Sequence, residues 1–114
     1  MMIMIIKLKF VVYSFQFVNL LDRRTHGGLC AMSIMADWAE PNNPSMQSNY
    51  DARDVYLNAT IGWFTQPLVT GDYPDSVRDN LGDVLPSFTD EEANLIKGAT
   101  DFLAIDHYTT WLVR

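Results

Sequence analysis

With 114 residues, 48% of them hydrophobic and 19% charged, the chain is long enough for one packed domain and too apolar for disorder. A formal net charge of −6 and the absence of any long Lys/Arg run exclude a nucleic-acid partner, because phosphate binding rests on clustered basic side chains. The single cysteine, Cys30, rules out an internal disulfide, and its place in the apolar run Leu29-Cys30-Ala31-Met32 predicts a small buried thiol.

Residues 1–26 are left unassigned. Met1 to Ile6 is apolar, Lys7 and Lys9 follow, and a second apolar stretch runs from Phe10 to Leu21. The pattern is weakly signal-like, but the apolar start precedes the lysines, Gln16 and Asn19 interrupt it, and no small-residue cleavage site follows. A strand, a helix or a gene-model artefact are the alternatives, so cytoplasmic and secreted locations both stay open. The lysines break any stretch of about 20 apolar residues that a spanning helix needs.

After Gly27-Gly28, the run 29–36 is apolar and ends before the Pro/Asn-rich stretch 41–45. That is the pattern of a strand buried on both faces of a parallel sheet. Ala52, Val55, Tyr56, Ala59, Gly62 and Trp63 then recur at helical spacing, with Pro67 and Gly71 expected to end the helix. Asp72-Tyr73-Pro74 reads as a turn and residues 76–81 as a short helix. Thr89-Asp90-Glu91-Glu92 is a capping box, starting a helix that runs to Ile96 and that Gly98 can stop. The box accounts for the adjacent carboxylates Glu91 and Glu92 without a catalytic role, since neighbouring helix residues point apart. A second buried strand, Phe102 to Ile105, closes a strand–helix–strand unit, the building block of an α/β fold with a parallel sheet.

His26 and His107 are far apart and fit no ligand spacing, so no metal site is expected. Asn58-Ala59-Thr60 matches a glycosylation sequon by chance on the helical segment.

Six blocks carry more information: Ser33 to Pro41 (Ser-Ile-Met-Ala-Asp-Trp-Ala-Glu-Pro), Gly62-Trp63-Phe64, Gly71-Asp72-Tyr73-Pro74, Leu85-Pro86-Ser87-Phe88-Thr89, Lys97-Gly98, and Asp101-Phe102 running on to Asp106-His107-Tyr108-Thr109-Thr110. Their order and spacing over residues 27–114 resemble glycoside hydrolase family 1, the β-glucosidase, lactase, myrosinase and klotho group. The resemblance implies a partial TIM (β/α)8 barrel, from strand five through helix five to strand six. The activity it implies is retaining hydrolysis of O-glycosidic bonds in β-glycosides, with no cofactor and no metal. Retention requires two carboxyl groups about 5 Å apart. In the family these lie in a Thr-Phe-Asn-Glu-Pro motif after strand four and a Glu-Asn-Gly motif after strand seven, and neither occurs here. The chain is therefore expected to be an internal fragment, inactive alone, whose partners are the missing barrel segments and, in a full barrel, a β-glycoside. A non-catalytic klotho-like glycan-binding protein and a truncated product without function are the alternatives.

Four residues carry substrate-binding roles by the resemblance. Tyr108 matches the tyrosine whose hydroxyl contacts the nucleophile and the sugar, and Asp106 stands where most members have Asn. Asp37 and Trp38 sit where members line the aglycone side of the cleft. Glu40, in Ala39-Glu40-Pro41, imitates the acid/base motif but lacks its Asn, and is expected to be a loop residue at the mouth of the site.

Overall fold

The computed structural model describes Thr25 and residues 27–114, so the expectations for the N-terminal segment lie, apart from Thr25, outside the described residues. Two extended runs enclose a helical excursion. The first run holds β1 (Ala31–Met35) and β2 (Trp38–Pro41), and the second holds β3 (Phe102–Asp106) and β4 (Thr110–Val113). Between them lie α1 (Gln47–Leu57), α2 (Trp63–Thr70), α3 (Asp75–Leu81) and α4 (Asp90–Ile96). A π-helical turn, Asn58–Gly62, joins α1 to α2.

β1 pairs in parallel with β3, from Ala31 opposite Phe102 to Met35 opposite Asp106. β2 pairs in parallel with β4, from Trp38 opposite Thr110 to Pro41 opposite Val113. Residues 36 and 37 of the first run therefore stand opposite residues 107, 108 and 109 of the second. That one extra residue is a β-bulge, a device that re-aims side chains at sheet ends.

The first run keeps its phase across this point. The N–H groups of Ala36, Trp38 and Asn42 all donate to the second run, to the carbonyls of Asp106 (3.1 Å), Thr109 (3.0 Å) and Val113 (2.8 Å). Every donor is an even-numbered residue, so alternation is unbroken: Met32, Ile34, Ala36, Trp38 and Glu40 take one face, and Met35, Asp37 and Ala39 the other. Pro41 falls on the odd set, whose nitrogens point away from β4, so its missing N–H costs this ladder nothing.

The even face of β1 packs on the helices. Met32, Ile34 and Ala36 are buried with Leu68, flanked by Ile61, Phe64 and Ala99. Burial on both faces, the expectation from the apolar run, is not what forms. Ser33 and Met35 are exposed, and in β3 Phe102, Leu103 and Ile105 are exposed too. Among the described residues nothing covers the odd face of β1 or the outer side of β3. Cys30 is half-buried rather than buried, at the open start of the same strand.

Pro67 does not end the helix as expected; it lies inside α2, which continues to Thr70. Proline removes one donor from the helical ladder, and the chain stops only at Gly71, in the left-handed region at φ 87°. The Gly71 N–H donates to the Pro67 carbonyl at 2.9 Å. A Cβ at position 71 would lie 3.2 Å from the Ala93 carbonyl oxygen and 3.3 Å from Ala93 Cβ. Gly71→Ala is expected to cost about 1–2 kcal/mol from backbone conformation alone, read as a lower urea midpoint. An unchanged midpoint would show that position 71 leaves the left-handed region at no cost when it carries a Cβ.

α4 opens on the predicted capping box. Glu92 N–H donates to Thr89 Oγ1 at 3.2 Å, and Thr89 N–H to Glu92 Oε2 at 2.9 Å. Under it sits the second core cluster, Trp63, Tyr73, Val77 and Leu85, with Phe64, Leu81 and Phe88 against it. Tyr73 is the centre: 2% exposed, stacked on Phe88 at 4.6 Å between ring centroids and edge-on to Trp63 at 6.3 Å.

The Tyr73 hydroxyl is buried without a hydrogen-bond partner among the described residues. Burial, reinforced by the charges of Asp72 and Glu92, pushes the phenol up to about 12. Because the folded value lies above the unfolded one near 10, the associated stability is complete below about pH 10 and is lost as pH rises toward about 12. The loss should approach about 3 kcal/mol at most. Tyr73→Phe should abolish it and raise stability below about pH 10 by about 1 kcal/mol, the cost of an orphaned buried hydroxyl. Urea midpoints of both proteins across the alkaline range test this, and parallel curves would contradict it.

Candidate functional site at the strand ends

Where the two runs leave the core, their side chains turn from apolar to polar and aromatic. Asp37, Trp38 and Glu40 lie on the first run, and Asp106, His107, Tyr108 and Trp111 on the second. In parallel strands joined by helices this end collects function, because loops there meet above a rigid sheet.

Alternation separates two of the candidate residues. Asp37 lies on the odd face, with Met35, and Asp106 opposite Met35 shares that face. Trp38 follows the even phase instead, and its indole Nε1–H donates to Glu40 Oε1 at 2.8 Å, a contact that two residues on the same face can make. The structure thus brings Asp37 and Asp106 to one side and directs Trp38 to the other. Glu40 is not in a loop; it belongs to β2, because the ladder continues past the bulge.

Tyr108 occupies the bulge, and the residue is 75% exposed. Beside it His107 Nδ1 lies 3.3 Å from the Ala36 carbonyl, a geometry in which a proton on Nδ1 is donated to that oxygen. This contact braces the bulge from the even side and leaves Tyr108 outside it.

One residue at this site escaped the reading of the sequence. Trp111 faces Ala39 in the β2–β4 ladder, on the odd side, and its Nε1–H donates to Asp37 Oδ2 at 2.9 Å. The indole thereby links the two runs across the bulge, with half of its surface open. The signal was present as an aromatic residue just past the polar set, but it has meaning only once the strand is known to continue there.

Other features offer less. No group of three metal-binding side chains occurs among the described residues. A cavity of about 120 Å³ between α1, the π-turn and α3 is lined by Val55, Ala59, Trp63, Ser76, Val77, Asn80 and Leu81, with no titratable group for chemistry. The sequon residue Asn58 spends its amide on Ser76 Oγ at 3.1 Å. No helix among the described residues is long and apolar enough to cross a membrane.

Comparison with known proteins agrees with this geometry. The family model described as "Glycosyl hydrolase family 1" matches residues 6–114. Beta-glucosidase 42 of Arabidopsis thaliana is 40% identical over 92 residues, covering 80% of this chain and 19% of that protein. Beta-klotho of Mus musculus is 39% identical over 101 residues, covering 80% of this chain and 10% of that protein. A crystal structure of a GH1 beta-glucosidase from the fungus Humicola insolens, in complex with glucose, superposes with a TM-score of 0.82 at 35% identity, over 90% of this chain and 22% of that one. The chain thus spans about a fifth or less of the proteins it matches. The α/β architecture expected from the sequence is met: a strand–helix–strand portion of a (β/α)8 barrel, with no closed barrel.

Proposed function

The chain belongs to glycosyl hydrolase family 1, and on that premise we propose that it forms the strand-five to strand-six sector of a barrel that hydrolyses O-glycosidic bonds in β-glycosides with retention. One observation carries the reading. Asp37 and Asp106 share a face at the strand ends and Tyr108 stands in the bulge between them, in the place where barrels of this kind hold substrate.

The roles follow from side-chain chemistry. The Tyr108 hydroxyl donates to a neighbouring carboxylate or sugar oxygen, and as a hydrogen bond to a charged group it contributes about 1.5–3 kcal/mol. Asp106 and Asp37 accept from sugar hydroxyls. Trp38, on the opposite face, packs and positions Glu40 rather than touching the same sugar. The acid/base and nucleophile carboxylates lie in neither run, since neither family motif occurs in the sequence, and retaining chemistry needs both.

The test compares the 114-residue chain with the complete barrel that carries it. The chain alone should release nothing from an aryl β-glucoside, and the complete barrel should release a β-configured sugar. Turnover by the chain that survives repurification would refute the division of labour, and an α-configured first product would refute retention. A second reading, glycan binding without hydrolysis, is favoured by the match to Beta-klotho and by Asp106 in place of the usual Asn. A substituted acid/base motif in the complete barrel would establish it.

A further inference from the structure

We infer that His107 is a positioning residue for Tyr108: its imidazole supplies the donor that the bulge takes out of the ladder, and so fixes the turn that carries Tyr108. The inference rests on the glycoside reading only for what Tyr108 does once it is placed.

The register identifies the missing bond. Ile34 stands opposite Ile105 and Met35 opposite Asp106, and the Ala36 N–H donates to the Asp106 carbonyl at 3.1 Å. A parallel ladder continues in evenly spaced bonds, N–H outward and carbonyl back in turn. The next would run from the Tyr108 N–H to the Ala36 carbonyl, and the one after from the Trp38 N–H to the Tyr108 carbonyl. Neither forms. Trp38 donates to the Thr109 carbonyl at 3.0 Å, and no main-chain N–H among the described residues reaches the Ala36 carbonyl. Ala36 is 3% exposed, so water has little access to that oxygen, and buried carbonyls are rarely left without a partner. His107 Nδ1, 3.3 Å away, is the group that meets it.

The same geometry governs Tyr108. It makes no main-chain hydrogen bond among the described residues and is 75% exposed, so its own contacts hold it little. The residue before it is anchored through the imidazole and the residue after it through the Thr109 carbonyl, which confines the path between them. A carbonyl acceptor requires the proton on Nδ1, so neutral His107 is the Nδ1–H tautomer, with Nε2 left as an acceptor. The ladder needs a donor at this point rather than an imidazole as such. Asn places its amide nitrogen the same number of bonds from Cα and can serve; Leu fills similar space and cannot.

The test has two arms. In the 114-residue chain, nitrogen NMR of the imidazoles at about pH 8, above the ordinary histidine range, should show His107 as the Nδ1–H tautomer, with His26→Gln separating the two sets of signals. Hydrogen exchange at the Trp38 amide should quicken about tenfold in His107→Leu, where the Ala36 carbonyl is orphaned, and keep the parent rate in His107→Asn. In the complete barrel, His107→Leu should lower kcat/KM on an aryl β-glucoside about tenfold, and His107→Asn should keep it near the parent value. In a Tyr108→Phe background His107→Leu should have no further effect. That non-additivity separates positioning from a general loosening of the sheet, whose effects would multiply. An Nε2–H tautomer at His107, equal behaviour of the Leu and Asn variants, or multiplying effects with Tyr108→Phe overturns the proposal. The expected tautomer and exchange rates with no turnover by the complete barrel would uphold the donor in the bulge and defeat the glycoside reading instead. Turnover with the Nε2–H tautomer would do the reverse.

Discussion

Tyr73→Ala is expected to lower the stability of the chain by about 3 kcal/mol, the cost of deleting a buried aromatic ring less the relief of losing its orphaned hydroxyl. The ring touches both Trp63 and Phe88, so its removal leaves a cavity lined by side chains with nowhere to move. The turn before α3 keeps its main-chain bonds in the variant, since the residue-73 carbonyl still accepts from Gln66 Nε2 (3.2 Å) and its N–H still donates to Asp72 Oδ1 (2.8 Å), so the loss is confined to the packing of the ring. Domains are stable by only about 5–15 kcal/mol, and a chain with β3 open to solvent has less in reserve. Urea unfolding followed by Trp63 emission measures the effect. A loss below about 1 kcal/mol would mean that the cluster collapses around the gap.

In a complete barrel carrying this segment, Asp106→Asn is expected to shift the acid limb of the kcat/KM profile to lower pH by about one unit. The family resemblance aims Tyr108 at the catalytic nucleophile, and Asp106 precedes it by two residues on the same run. A carboxylate where the family carries an amide places a like charge near that nucleophile and disfavours its ionisation within about 4–6 Å. One unit corresponds to about 1.4 kcal/mol, and the acid limb of kcat/KM reports the base of the free enzyme. An unchanged limb would mean that no charge at position 106 reaches the nucleophile.

Local rules made much of the fold legible. The Thr89 capping box, the left-handed Gly71, and the two apolar runs that became β1 and β3 each follow from a few adjacent residues. What stayed hidden depends on partners distant in sequence. β2 carries a proline, and β4 begins with a threonine after a polar set, so both resemble the ends of strands. They form because each is templated by the other, 72 residues apart. Helix α2 passes Pro67 because tertiary packing of Trp63 and Leu68 outweighs one lost donor.

The candidate site shows the same division. Asp37 and Asp106 were legible from the family blocks, and the ladder brings them to one face. The resemblance places Trp38 beside Asp37 on the aglycone side, and alternation along the strand sends the two side chains to opposite faces. Trp111 required the hydrogen bond from the far run.

The bulge at 107–109 also bears on how such a sector can diversify. A residue gained or lost there is absorbed between the two ladders, and Trp111 stays opposite Ala39. The same event within 102–106 would turn every following side chain to the wrong face. Heritable length changes are therefore filtered by position: those beside Tyr108 reshape the strand-end rim and spare the wall, and those a few residues earlier, within β3, disrupt the wall. The rim can vary in shape while the staves keep their fit.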